Sequence, residues 1–97
     1  MLFMAIYRLR DPSEESHKRV LELFMNWKPP FEIKAHYSRA DGNGGVALFE
    51  ATDAAVVLEG AHPWLPFFDV DICPALDMQE SVPIFMRVND WRDSVKH

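Results

Sequence analysis

The stretch from Gly44 to Pro74 constrains the fold more than any other part of the chain, because it reads without a break as strand, capped helix, aromatic corner and strand. Val46 to Ala51 is a short apolar run that follows a glycine-rich turn. Thr52 or Asp53 then stands where a helix cap is needed, and Val57, Leu58, Ala61, Trp64, Leu65 and Phe68 keep helical spacing across Pro63. Pro63 removes one helical bond, which predicts a kink or a fresh turn there, with His62 at its cap. Phe68, Val70 and Ile72 alternate with Asp69, Asp71 and Cys73 in a strand that ends at Pro74. Nothing in this stretch builds a nucleophile, metal or phosphate motif, so it specifies an architecture and no reaction.

The flanking segments extend the pattern. Leu2 to Leu9 is apolar on both alternating faces, as a central strand covered on two sides requires. In Asp11-Pro12-Ser13-Glu14, Asp11 is placed to cap a helix, Pro12 suits its first position and Glu14 can reach back to the cap. The face of that helix is His17, Val20, Leu21, Phe24 and Trp27, and Pro29-Pro30 closes it off. Phe31, Ile33, Ala35 and Tyr37 then alternate with Glu32, Lys34, His36 and Ser38 in a half-buried strand. Asp41 to Gly45 reverses the chain through residues that tolerate positive φ. Val82 to Val88 is expected to be a fifth extended segment, with Pro83 near its start or on an edge.

Strand, helix, strand, strand, helix, strand is the split β-α-β arrangement. The fold class is therefore α+β: a ferredoxin-like βαββαβ antiparallel sheet with two helices on one face and an extra C-terminal strand. One domain over residues 1–90 is expected, with an arm at 82–88 and a polar tail at 91–97. The second sheet face cannot lie bare in water without leaving an apolar patch, so a two-fold homodimer packed sheet against sheet is expected to cover it. The fifth segment is a candidate arm across to the partner.

Composition points the same way. With 97 residues, 48% of them hydrophobic, the chain is a single packed domain, yet a domain this small buries only about 60% of its unfolded surface alone. The net charge of -5 and scattered basic residues leave no stripe for a phosphate backbone, so no nucleic-acid partner is expected. The apolar opening from Met1 to Ile6 is too short to span a bilayer and reads as a strand, so no membrane partner is expected either. Cys73 stands alone, which excludes an internal disulfide and suggests a reducing, cytoplasmic setting.

For chemistry, Glu32, Lys34, His36, Asp69 and Asp71 are placed by simple alternation on the sheet face away from the helices, lining the space toward a partner or its rim. His36 is the candidate catalytic base, since an imidazole near carboxylates titrates near neutral pH. Solvated ion pairs on an edge strand are the competing reading. The aromatic corner from His62 to Phe68 could stack on a flat ligand around Trp64, but it needs no ligand to explain it and reads first as core. His17, His36, His62 and Cys73 come from separate elements without paired spacing, so neither a metal nor a cofactor is expected.

Several of these residues also carry a resemblance. Met1-Leu2-Phe3, Pro29-Pro30, the run from His36 through Gly45 to Glu50, then Asp53, Trp64 and the strand ending in Pro74 resemble a family of short bacterial proteins of unknown function. That family is similar to the dimeric α/β-barrel superfamily, a ferredoxin-like fold. The resemblance spans roughly residues 1 to 80 and leaves the segment after Glu80 uncovered. Haem-degrading monooxygenases of that superfamily use an asparagine on the first strand, and no asparagine stands there in this chain. Its cofactor-free monooxygenases and small isomerases use polar groups inside the barrel, for which Tyr7, His36 and Trp64 are the counterparts by location. The resemblance transfers no functional residue; with the alternation above, the expectation is a homodimer holding a small organic ligand between sheet and partner, near Tyr7, Glu32, Lys34, Trp64 and Asp71. A cofactor-independent enzyme and a purely structural dimerisation module are the alternatives.

Overall fold

A computed structural model describes residues 1–96; His97, assigned to the tail, lies outside the described residues. The elements are β1 (Leu2–Leu9), α1 (Glu14–Met25), β2 (Glu32–Ser38), β3 (Gly44–Glu50), α2 (Ala54–Ala61), β4 (Phe68–Pro74) and α3 (Met78–Ser94), with a 3-10 turn at His62–Trp64. The strands form one antiparallel sheet in the order β2-β3-β1-β4. This is the ferredoxin-like α+β arrangement expected, with the two-sided apolar β1 in its centre.

The register sorts side chains to the two faces of the sheet. Phe3 pairs with Phe49, Ala5 with Ala47 and Ile72, and Leu9 with Phe68, all on the helix side. There Ala5, Phe49 and Ala51 are buried, and Phe3, Phe31, Ile33, Val56 and Val57 pack against them. Phe49 stacks on both Phe31 and Phe3, with ring centroids 4.1 and 5.6 Å away. On the opposite, open face Met4 pairs with Leu48 and Ile6 with Val46. This face stays partly open to solvent: Ile6 is 50% exposed and Tyr37, beside Val46, is 67% exposed.

The helix starts follow local hydrogen bonding. Asp11 was the expected cap of α1, but Ser13 takes that role: its Oγ accepts from the Ser16 amide at 3.2 Å. Asp11 supports it from outside the helix, accepting from the amide and hydroxyl of Ser13, both at 3.1 Å. Asp53 caps α2, accepting from the Val56 amide at 3.0 Å. Pro63 does end α2, and the chain continues as the 3-10 turn that carries Trp64.

The C-terminal segment departs from expectation. Residues 82–88 are not a strand but the middle of α3, which also absorbs most of the supposed polar tail at 91–97. Two physical reasons favour the helix. Asp77 and Glu80 have capping-box spacing, and the Asp77 carboxylate accepts from the Gln79 amide at 2.7 Å. A segment that does not reach a sheet edge must also satisfy its backbone internally, which a helix does and a lone strand does not. Pro83 sits inside the helix and removes one of its bonds without stopping it. Ser81 is the single buried residue of α3, so the rest projects into solvent. The radius of gyration is accordingly 17.5 Å over extents of 57 × 28 × 20 Å, where a compact chain of this length would give roughly 12–13 Å.

β2 contains the second departure. Ile33 pairs with Phe49, but Ala35, not Lys34, pairs with Leu48, so a β-bulge absorbs Lys34. Beyond the bulge the alternation is inverted. His36 pairs with Ala47 on the helix side, and Tyr37 pairs with Val46 on the open side.

Candidate functional site

The helices stand over the sheet without sealing against it. No residue of α1 is buried, and a cavity of about 610 Å³ lies between α1, the 3-10 turn and the helix-side face of the sheet. That volume falls within the range of small-molecule sites. Trp27 and Trp64 meet edge to face with centroids 5.2 Å apart, and Phe24 lies 6.4 Å from Trp64 and 5.8 Å from His36. Tyr7 rises from β1 edge-on to Phe68 at 5.1 Å. Among the described residues no Asp, Glu, Lys or Arg lines the cavity, and the titratable groups that do are Tyr7, His17 and His36.

Tyr7 and His36 are joined: the Tyr7 hydroxyl lies 2.5 Å from Nε2 of His36. β1 and β2 are not neighbours, and the two side chains meet across β3 because Gly45, which pairs with both Tyr7 and Ser38, leaves room between them. The surface His36 leaves open is cavity wall. Partial removal from water holds its imidazole below the ordinary value near 6.5 and pushes the Tyr7 phenol above its own. Both are therefore neutral at pH 7. The bond is between an uncharged phenol and an uncharged imidazole, an arrangement that can take one proton and give another.

The shift on His36 carries a stability signature. The unfolded imidazole binds its proton at a higher pH than the folded one, so stability is full above about pH 6.5 and falls as pH drops toward the folded value. The melting temperature is expected to decline between pH 7 and 5, and to decline less in His36→Gln, which keeps a polar group without the titration. Equal slopes for the two proteins would remove His36 as the cause.

His17 sits at the mouth of the cavity, half-buried as a boundary histidine. Its Nδ1 is 2.9 Å from the Ser13 carbonyl and its Nε2 is 3.3 Å from that of Gly42, which ties α1 to the β2–β3 turn. Next to that turn Arg39 holds the Asp41 carboxyl well below the usual carboxylate range through their 2.7 Å hydrogen bond.

Of the residues singled out from sequence, Tyr7, His36 and Trp64 come together in this cavity. The others do not join them. Glu32 and Lys34 pair with each other at 3.1 Å, both exposed. Asp69 bonds Arg10 at 2.8 Å, and Asp71 is exposed on the open face opposite Ile6. The expectation that His36 shares a face with these charges is corrected by the bulge, which turns the imidazole inward and leaves it without a carboxylate neighbour. Phe24 and Trp27 were read only as a core stripe. Their helical spacing is the same for a filled core and for a cavity wall. Among the described residues no three His, Cys, Asp or Glu side chains come together as metal ligands.

Fold and site together define a small ferredoxin-like α+β domain with an uncharged, aromatic cleft between its sheet and its helices. The chain belongs to the family described as a domain of unknown function, DUF3303, which matches residues 1–89. The match runs past Glu80 and takes in the first part of α3. No curated protein matches it. Among the described residues no helix is long and apolar enough to cross a membrane.

Proposed function

We propose that this protein binds a small, uncharged, largely flat organic molecule in the cavity under α1, with the ligand's one polar group directed at Tyr7 and His36. The carrying observation is the make-up of the cavity: aromatic walls, a Tyr7–His36 hydrogen bond among few polar groups, and no Asp, Glu, Lys or Arg among the described residues. A carboxylate or phosphate entering it would lose water without gaining a counter-charge, whereas a ketone or phenol would lose little and find one partner. The protein acts as a homodimer in which a second copy covers the open sheet face. Met4, Ile6, Val46 and Leu48 on that face support this part of the reading. The lone Cys73 fits a reducing, cytoplasmic setting.

The Tyr7–His36 bond favours a second reading, a cofactor-independent isomerase-type enzyme. The neutral imidazole would take a proton from the carbon beside a ligand carbonyl. The phenol would hold the oxygen of the resulting enolate, and the proton would return to the same carbon or, where the ligand carries a double bond conjugated with the enolate, to the far end of that bond, which shifts toward the carbonyl.

One probe serves both readings: 2-tetralone, an uncharged aromatic ketone with exchangeable α-protons, added to protein carrying Trp91→Phe so that Trp27 and Trp64 report. Saturable quenching is expected, with 2-naphthoate binding at least about tenfold more weakly, roughly 1.4 kcal/mol. Quenching that does not saturate, or equal binding of the anion, would remove the binding reading. In deuterated buffer the enzyme reading expects accelerated α-proton exchange that His36→Ala abolishes; exchange at the background rate in the bound ketone would exclude it.

A further inference from the structure

We propose that α3 is an exchanged arm: in the homodimer the α3 of each copy lies across the open sheet face of the other. This rests on the homodimer just proposed and names the element that does the covering.

The arm is built to be covered. Ile84, Val88 and Trp91 follow one another at intervals of four and three, which lines them along one side of the helix. All three are exposed, Trp91 at 66%, and Phe85 beside them at 55%. An isolated helix of 17 residues interrupted by a proline is marginal in water, so tertiary packing of its apolar side must supply most of its stability.

The arm does not reach its own sheet face. Its root is pinned by the Ala75 amide bonding the Leu2 carbonyl at 2.9 Å and by the Asp77 cap. From there it leads away, so Val88 and Trp91 stand about 15 Å or more along the helix from its first residue. A second copy supplies what this chain lacks. Its open face carries the matching apolar rows, and the lengths agree: α3 is about 26 Å long, and the eight residues of β1 span about the same distance.

One pair of opposite charges is available across the contact. Arg92, one turn beyond Val88, makes no ion pair among the described residues, and neither does Asp71 on the open face. Because each copy offers both arm and face, the exchange closes on itself with two-fold symmetry. Two aromatic side chains per arm, at up to roughly 150–250 Å² each, contribute at most about 600–1,000 Å² over the two arms, a large share of the roughly 1,200–2,000 Å² found in stable interfaces.

Cys73 provides the test, since it lies on the open face opposite Met4 and is exposed. Val88→Cys and Trp91→Cys, each made in the full chain, are oxidised mildly and the linked peptides identified by mass spectrometry, alongside sedimentation of the unmodified protein. The proposal expects a dimer by sedimentation. It also expects at least one variant to form a covalent dimer through Cys73 of one copy and the introduced cysteine of the other, lost when Cys73→Ser is added. Links only between two Cys73 residues would mean that the partner's sheet covers the face, and links only between two introduced cysteines would mean that arm meets arm. Either result overturns the exchange while leaving the homodimer in place, as does a dimer that forms no link. A monomer at micromolar concentration would sink the exchange and the homodimer together, without touching the cavity.

Discussion

Phe49→Ala should lower the free energy of unfolding by about 3–5 kcal/mol, the range for removing a fully buried aromatic ring. Phe49 is 2% exposed and is the most enclosed of the few buried hydrophobic residues. Its ring stacks on Phe3 from the central strand and on Phe31 from the approach to β2, so it ties three segments of the chain together. The cavity that already lies under α1 gives the neighbours no well-packed layer to collapse onto, so the space left by the ring should stay open. A domain of this length has a total stability of only about 5–15 kcal/mol, and the variant should therefore sit near its unfolding threshold at room temperature. Equilibrium unfolding in urea measures this directly, with Phe49→Leu as the milder comparison. A loss below about 1.5 kcal/mol would mean that the three-ring stack does not organise the core.

Gly44→Ala is expected to be the second most damaging change, at about 2–4 kcal/mol, although it adds a single methyl group. Two effects combine at this position. Gly44 has φ of +146°, a backbone conformation that a residue with a Cβ rarely adopts. The added carbon would also run into the Tyr7 carbonyl oxygen and lie 3.0 Å from Arg8 Cα, both backbone atoms of the central strand that cannot swing aside. Gly42 separates the two effects: its φ is +77°, yet nothing lies within 4 Å of where its Cβ would stand. Gly42→Ala should therefore cost about 1 kcal/mol, the conformational part alone. Equal losses in the two variants, read from urea midpoints, would show that the close approach of β3 to β1 is not what makes Gly44 necessary. Because the collision falls on Tyr7, Gly44→Ala should also weaken ligand binding in whatever fraction remains folded.

Much of the fold could be read from local pattern. β1 is apolar on both sides because it is central, β4 alternates because one of its faces is bare, and Asp53 and Pro63 bound α2 as their chemistry requires. Two features could not be reached by counting apolar positions. The run from Val82 to Val88 satisfies a strand pattern as well as a helical one, and only the Asp77–Glu80 spacing ahead of it distinguishes them. The bulge at Lys34 leaves no mark in composition, because one extra residue in a strand looks like any other residue. Of the residues singled out from sequence, Tyr7, His36 and Trp64 line one cavity, on the helix side of the sheet and not on the side toward a partner, and simple alternation put His36 on the opposite face. The emptiness of the cavity was not legible at all: a helix whose stripe is His17, Val20, Leu21, Phe24 and Trp27 reads the same whether it rests on the sheet or stands off from it.

The bulge also bears on how histidines in related chains should be compared. What puts an imidazole into the cavity is its pairing with Ala47, which the bulge at Lys34 makes possible, not the imidazole itself. A homologue of the same length in which Lys34 paired with Leu48 in a regular ladder would move the rest of β2 by one position along β3 and display a histidine at this column to the open face. Identity at position 36 and possession of the Tyr7–His36 pair are then separate traits, and a chain could carry either without the other. Sorting relatives by the register of this strand against its hairpin partner, before sorting them by residue, would distinguish those that can form the pair from those that only share the letter.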